Sequence, residues 1–477
     1  MSPFDKGQYK ALLEGLEANE TLFSELENEI TIGSEYYSPA FVKPFATLTA
    51  SKLQIKSLRD CCSLITDGDH GSADYVDDGV TFILSEAVKN GWIDIKACRQ
   101  ISERHSRTLK RSQLKKHDVL ITKTGIYFGK SAVVTDEFVG ANTIAHVGIF
   151  RPKDDVDPYY LSTFFNSRYG YSQLRRRGIK ATRPEIKLVE FQDISVGLPS
   201  AYFQKKIASI LIRSHAVLAK SNLAYVHANT LLLETLGIAN FSPSVSGVNI
   251  QSMTGSFFAS GRLDAEYYQP KYEELKTKIA EKHSLAYLRD LLTLNQRGTQ
   301  PEYCDGGVPV VNSKHVREDE VILNENRFGR PSGKKNELLI KKGDVLLNGT
   351  GVGTIGRAAA YMFETEALPD NHVTVLRSNK IDPVFLSVYL NSIAGKYQVE
   401  KYYKGSSGQI ELYPAEIEQF YVPLVEKSVQ LKVANSVREC FVLKAESERL
   451  LQIAKRAVEI AIERDEDAAE AYIKENS

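Results

Sequence analysis

The sequence predicts an α+β fold: two pseudo-repeated globular units of mixed β with helices, separated by two long antiparallel coiled-coil helices. Three observations predict it. A stretch of well over a hundred residues returns once along the chain with its order kept. Each copy ends in a proline- and glycine-free segment with apolar residues at sevenfold spacing. Within each copy, short β-branched runs alternate with glycine-containing turns, the pattern of strands.

In chain order, residues 1–30 read as an acidic helical segment, and the first unit runs over 31–199. The second unit, 261–424, repeats it. SEYYSP (34–39) returns as AEYYQP (265–270), and SLRD (57–60) as YLRD (287–290). GVTFILSEAV (79–88) returns as GVPVVNSKHV (307–316), LKKHDVLITKTG (114–125) as IKKGDVLLNGTG (340–351), and VDPYYLSTFFNS (156–167) as IDPVFLSVYLNS (381–392). One ancestral unit is used twice.

The helical segments follow each copy. Residues 200–236 carry Ile210, Val217, Ala224 and Leu231 in one row and Leu211, Leu218, Tyr225 and Leu232 in the next. At 1.5 Å per residue this helix spans about 55 Å. Small residues Ser214, Ser221 and Ala228 run alongside and permit close approach of a partner helix. The second segment, 425–477, carries Val437, Lys444, Leu451 and Val458 in a row, with Cys440, Ser447, Ala454 and Ala461 beside it. Stripes this long and narrow suit a partner helix, and each is the other's natural partner. Residues 237–260, rich in glycine and serine with Pro243, read as a connector.

The stretch DVLLNGTGVGTIGRAAA (344–360) spaces Gly351, Gly353 and Gly356 as in a dinucleotide-binding turn. The repeat argues against that. Its counterpart KTGIYFGKSAVV (123–134) keeps Gly125 and Gly129 but no middle glycine, and with Lys130 and Ser131 it imitates a phosphate loop one residue too short. Homologous turns cannot be two unrelated nucleotide sites. SAVV also reads as a strand, where either motif needs a helix. The glycines are expected to shape a β-turn.

Composition narrows the function classes. The 477 residues carry 60 basic and 60 acidic side chains, which excludes a uniformly basic coat but not local patches. No apolar run approaches the roughly 18 residues of a membrane span, and the start MSPFDKGQYK has no signal-peptide core, so a cytoplasmic protein is expected. The five cysteines have no metal or disulfide spacing. None of the 16 prolines is followed by another, which removes the Pro-Pro-aromatic loop of amino-methylating enzymes, and no H-E-x-x-H or nucleophile signature is present.

Basic and polar loops occupy corresponding places in both copies: RHSRTLKRSQLKKH (104–117) and RRRGIKATRPEIK (175–187), then NSKHVR (312–317), RFGRPSGKK (327–335) and KYYKGSSGQ (401–409). Arg and Lys neutralise phosphates, while Asn, Gln, Arg and Ser read base edges. The copies match best in strands and helices and worst in these loops, as one scaffold carrying two reading surfaces does.

With RLDAEYYQPKYEEL (262–275), ITDGDHGS (65–72), KKGDVLLNGTGVGTIGRAA (341–359), DPVFLSVYLNS (382–392) and GSSGQIELYPAEIEQFYVPL (405–424) in this order, the chain resembles the specificity (S) subunit of type I restriction-modification systems. The resemblance covers nearly the whole chain. It implies two target recognition domains, each reading half of a split, asymmetric site in double-stranded DNA, on two helices that dock two methyltransferase (M) subunits. It implies no cofactor in this chain: S-adenosylmethionine belongs to the methyltransferase, and ATP and magnesium to a restriction (R) subunit where one joins. DNA contacts are then expected from His70, Ser72, Arg104, Arg107, Lys110, Arg111, Lys123, Tyr127, Lys180 and Arg183 in the first copy. In the second they are expected from Arg297, Thr299, Lys314, His315, Arg317, Asn348, Lys404, Ser406, Ser407 and Gln409. The docking helices are marked by Ile210, Val217, Leu218, Leu231, Val437, Leu451 and Val458. The competing class is a methyltransferase or nuclease with a divergent active site of its own.

Overall fold

The structure, a computed structural model, describes residues 6–15, 19, 21–22, 33–178, 183–244, 248–318, 320–324, 326–333, 338–405 and 410–477. The chain forms two compact units, one of residues 1–218 with 445–477 and the other of residues 219–444. Each therefore holds one copy of the repeat with a half of each long helix.

In unit 1 the strands are β1 (Gln54–Ser57), β2 (Cys62–Asp67), β3 (Tyr75–Val76), β4 (Val80–Ile83), β5 (Arg99–Ile101), β6 (Val119–Thr122), β7 (Ser131–Val133), β8 (Asn142–Thr143), β9 (Val147–Pro152) and β10 (Ser195–Leu198). An antiparallel sheet runs in the order β2-β9-β6-β7, a second in the order β3-β5-β4-β8, and β1 pairs with β10. Unit 2 repeats this strand for strand: β11 (Leu285–Tyr287), β12 (Leu294–Arg297), β13 (Tyr303–Cys304), β14 (Val308–Val311), β15 (Phe328–Gly329), β16 (Val345–Asn348), β17 (Ala358–Ala360), β18 (Leu368–Pro369), β19 (Val373–Arg377) and β20 (Tyr421–Pro423). Its sheets run β12-β19-β16-β17 and β13-β15-β14-β18, with β11 paired to β20. The duplication is thus one of topology as well as of sequence.

In the β2-β9-β6-β7 sheet and its counterpart β12-β19-β16-β17, the inner strands β6 and β16 are buried on both faces, so they read as continuous apolar runs rather than alternating ones. Val119 and Ile121 join a core with Tyr160, Leu161, Phe164 and Phe165 of the helix Pro158–Asn166. Leu120 between them joins a second core with Ile83 and Ala87. In unit 2, Val345 and Leu347 face Phe385 and Tyr389, while Leu346 faces Val311. Buried and half-buried polar side chains are paired in the same way in both units. Asn166 bonds both the N–H (3.0 Å) and the C=O (2.8 Å) of Ser131, as Asn391 does those of Ala358 at 3.0 and 2.6 Å. Arg151 makes a two-pronged ion pair with Asp118, and Arg377 one with Asp344.

The long helices are Ala201–Leu236 and Lys427–Glu463. The Ser214 hydroxyl meets the Ser447 hydroxyl at 2.8 Å in unit 1, and the Ser221 hydroxyl donates to the Cys440 carbonyl at 2.8 Å in unit 2. Seven residues up one helix correspond to seven down the other, which makes the pair antiparallel with the small residues in its seam. The second helical segment, expected as one, is two. The long helix stops at Glu463, and Asp465 caps a separate helix, Glu466–Asn476, by accepting from the Ala468 N–H. Of residues 1–30, helix is described at Lys6–Leu12 only.

The glycine turns are hairpin tips. β16 leads through Gly351 (φ +92°), Gly353 (+79°) and Gly356 (+82°) straight into β17, and Val345 pairs with Ala360 across the tip. No helix follows to receive a pyrophosphate. Among the described residues no helix is long and apolar enough to cross a membrane.

Candidate nucleic-acid interface

In unit 1 the adjoining ends of β2, β9 and β6 form one rim. Asp67 stands opposite Gly148 and Thr122 opposite Val147, while the Lys123 N–H donates to the His146 carbonyl at 2.8 Å. Asp67 is buried and gathers two cations, Lys123 Nζ at 3.2 Å and the Arg111 guanidinium at 3.5 Å, with His70 Nε2 at 3.1 Å. Burial pushes its carboxyl up, but the hydrogen bonds from His70 and Lys123 outweigh that and hold it below the usual range. Asp69, two residues on, accepts from the Gly71 N–H at 2.9 Å and meets His105 at 2.8 Å. His105 fastens the helix Glu103–Thr108 to this rim, and Ser106, which donates to Asn142 of β8 at 2.7 Å, ties it to the second sheet. That helix and the turn after it present Arg104, Arg107 and Lys110 to solvent, with Arg107 on Glu103 at 2.7 Å.

The hairpin tip lies at the same end. The Gly125 N–H donates to the Pro184 carbonyl at 2.9 Å, and the Arg183 guanidinium lies 3.2 Å from where a β-carbon on Gly125 would stand. Lys130 sits over the half-buried Tyr127 ring at 5.5 Å. Burial, then the charges of Arg183 and Lys123, lower the pKa of His146. The structure thus brings His70, Arg111, Lys123, Tyr127 and Arg183 to one end of the sheet, with Ser72 exposed on the loop after His70. Lys123 is a correction: its ammonium is buried against Asp67, so it holds the rim together instead of facing solvent. Asp67, Asp69, His105 and His146 were missed. The signal for Asp67 and Asp69 was the run DGDH at the end of a strand.

In unit 2, Arg297 stands opposite Thr374 as Asp67 stands opposite Gly148. The same backbone position thus carries an acid in one unit and a base in the other. Arg297 donates to the Asn371 carbonyl at 2.5 Å, reaches Glu411 at 3.5 Å and lies over the Tyr413 ring at 5.3 Å. Glu411 is held below the usual carboxylate range by the Tyr413 hydroxyl first and by Arg297 after it. Lys404 exchanges backbone hydrogen bonds with Glu411 and sets its exposed ammonium 2.5 Å from Glu416. Thr350 meets His372 at 2.8 Å, and Thr299 is exposed beyond Arg297.

Two expected contact residues of unit 2 prove to be interior. Asn348 is fully buried and donates to the Ser313 carbonyl at 3.0 Å, so it anchors the 313–316 loop and presents nothing to a base. His315 is buried too, accepting from the Asn312 N–H at 3.1 Å, and burial together with Lys314 and Arg317 depresses it to about 4. Lys314 is exposed on that loop. Arg317, also exposed, belongs to the loop closed by the Val316–Val321 bridge, whose Glu318 carbonyl and Glu320 carboxylate bond Tyr225 and Lys444 of the long helices. Lys180, Ser406, Ser407 and Gln409 lie outside the described residues.

The helix residues expected to mark docking faces pack inside their own units. Ile210 and Val458 belong to the core of unit 1, with Val217 and Leu451 against it. Val437 belongs to that of unit 2, with Leu231 against it. Leu451 also abuts Gly91, whose carbonyl bonds His215 at 2.6 Å, so it helps to seat the repeat on the helices. Leu218 is half-buried. The apolar side chains left exposed on the helices are others: Ile212, Leu223, Val226, Leu431 and Val442 among them.

A duplicated strand scaffold with differently charged rims, seated on a helix pair, is the build of a two-part recognition protein. The chain belongs to the family described as the type I restriction modification DNA specificity domain, which matches residues 53–220 and 286–437, one match in each copy. Among solved structures it is similar to the type I restriction-modification S subunit from M. genitalium (11% identity, TM-score 0.40, covering 87% of this chain and 96% of that one). It is also similar to the HsdS subunit from Thermoanaerobacter tengcongensis (12% identity, TM-score 0.28, 86% and 97%) and to a chain from a type I R-M system assembly (13% identity, TM-score 0.30, 87% and 99%). No curated protein matches the chain.

Proposed function

We propose that this chain is the DNA-reading subunit of a type I restriction-modification complex, with each repeat unit reading one half of a split, asymmetric site in double-stranded DNA. The observation that carries this is the pair of equivalent rims: one backbone position holds Asp67 among cations in unit 1 and Arg297 beside a carboxylate in unit 2. Fold alone needs neither. Different base edges call for different donor and acceptor sets, and Asp67, itself buried, orders Arg111 and His70 at a position where unit 2 sets Arg297. Exposed Arg104, Lys110 and Arg183 in unit 1, with Lys314 and Lys404 in unit 2, supply phosphate contacts. Two methyltransferase subunits dock on the long helices, where Leu223, Val226 and Val442 offer apolar surface, and methylate adenine using S-adenosylmethionine that they bind themselves. A restriction subunit, where the system has one, brings ATP and magnesium chemistry. The complex works on DNA in the cytoplasm.

The test has two arms. Methylation mapping of host DNA with and without the gene should reveal a bipartite motif that disappears with it. The chain reconstituted with its methyltransferase partners should bind a duplex of that motif with affinity falling steeply in salt. Labelled methyl transfer to DNA by the purified chain alone would favour the enzyme reading and overturn this one.

A further inference from the structure

The hairpin tips keep one feature while their neighbours change. Thr124-Gly125-Ile126 in unit 1 corresponds to Thr350-Gly351-Val352 in unit 2, whereas Lys123 gives way to Gly349 and Tyr127-Phe128 to Gly353-Thr354-Ile355. The third residue is β-branched and apolar both times, and it projects into solvent: Ile126 is 90% exposed and Val352 71%. A single exposed apolar side chain needs no explanation. One kept at the same tip in both copies does, since an exposed side chain buries no area and adds nothing to the fold. Other apolar residues of these turns do serve the core, Phe128 buried in unit 1 and Ile355 packed against the core of unit 2.

The setting suits a polyanion. Gly125 and Gly351 hold positive φ (+80° and +92°), which aims the next residue outward. A cation follows the closing glycine in each copy, Lys130 after Gly129 and Arg357 after Gly356, and Arg183 flanks the first tip. Resting on the DNA-reading function proposed above, we propose that Ile126 and Val352 determine specificity by touching the C5-methyl of a thymine in the major groove, one in each half-site. That groove admits a two-stranded ribbon, and the thymine methyl is the apolar group its base edges offer. A wedge driven between base pairs calls for a longer side chain. Val352 ends at its γ-methyls and is stiff at χ1, so contact at an edge is what it can make.

The probe is the duplex of the mapped site, with each thymine replaced in turn by deoxyuridine, which removes only the methyl. In the complex with the methyltransferase partners, one position in each half should weaken binding about fourfold, the effect of one buried methyl group. Ile126→Ala should abolish the response at one position while leaving the other half and the salt slope unchanged. Val352→Ala should do the converse, and Ile126→Val should keep the response. A half-site without a uracil-sensitive thymine, or sensitivity that survives the alanine change, overturns the proposal. So does 2-aminopurine unstacking at the site that Ile126→Ala removes, since that marks a wedge. Failure of the wild-type complex to bind the unmodified duplex specifically is a separate result, seen first, and it removes the DNA-reading function itself.

Discussion

Side-chain chemistry in a sequence names what a residue can do, not whether it faces solvent, and the rims show both outcomes. Arg111 and Arg183 were legible as solvent-facing because positive charge beside a turn is rarely buried. Asn348 was misread because an amide at a strand end serves equally well to read adenine or to hold a loop, and only the Ser313 carbonyl at 3.0 Å decides. The two classes separate on mutation. Asn348→Ala should lower stability by about 1–3 kcal/mol, leaving buried carbonyls unpaired, without relaxing any one base position. Arg104→Ala should barely change the melting temperature but flatten the salt dependence by about one counterion. Melting curves and salt titrations of the two variants check this. His315 gives a pH signature. Its folded pKa of about 4 lies below the ordinary 6.5, because burial disfavours the charged ring and Lys314 and Arg317 add to that, while the proton to be gained would fall on the Nδ1 that already accepts from the Asn312 N–H. Between these values the unfolded chain binds more protons, so stability is complete above about pH 6.5 and is lost as pH falls towards 4. His315→Phe should be less stable at pH 7, with the Asn312 N–H unpaired, yet show a flatter loss on acidification when melting is followed against pH.

At the scale of elements, periodicity was the reliable guide where it was long. Both long helices were visible from their sevenfold rows, and Ser214 and Ser221 were rightly placed at a close approach. Less visible was which row faces the partner, because rows of leucine and of serine lie side by side and hydrophobicity alone favours the leucines. The seam has room for little: Ser214 and Ser221 are buried against Ser447 and Cys440. Ser221→Ala should cost about 1 kcal/mol, the loss of one hydrogen bond. Ser221→Leu should cost more, about 1–3 kcal/mol or beyond, because overpacking forces the helices apart. Thermal unfolding should rank them in that order, and equal effects would remove close packing as the role of the serine. The glycine turn was settled by comparing the two copies, which no motif match could do. Gly353 has open space around it at φ +79°, so Gly353→Ala should cost about 1 kcal/mol from backbone strain. Gly356→Ala adds a clash, its β-carbon meeting Val399 at 2.8 Å, and should be the less stable of the two. Neither change should touch nucleotide binding.

For the whole molecule, duplication was the most legible fact, since order along the chain survives where residues diverge. The division of each long helix between two compact units was not legible, because a helix that reads as one element contributes one half to each core. That division bears on how the two readings combine. Arg111 takes its partners Thr66 and Asp67 from unit 1, and Arg297 takes Asn371 and Glu411 from unit 2. Among the described residues these two side chains share no partner, and each unit's cores are built from its own residues, so their losses are expected to be independent. Arg111→Ala should therefore degrade recognition in one half of the methylated motif and Arg297→Ala in the other, each leaving the opposite half as sharp as in the wild type. The double variant should degrade both, with binding losses that add to within about 0.5 kcal/mol, as they do for independent sites. Methylation mapping in cells carrying each gene reads the first part, and titration of the reconstituted complexes reads the second. If Arg297→Ala blurs both halves, or the double variant departs from additivity by more than about 1 kcal/mol, the two units do not read separately and the asymmetry of their rims needs another explanation.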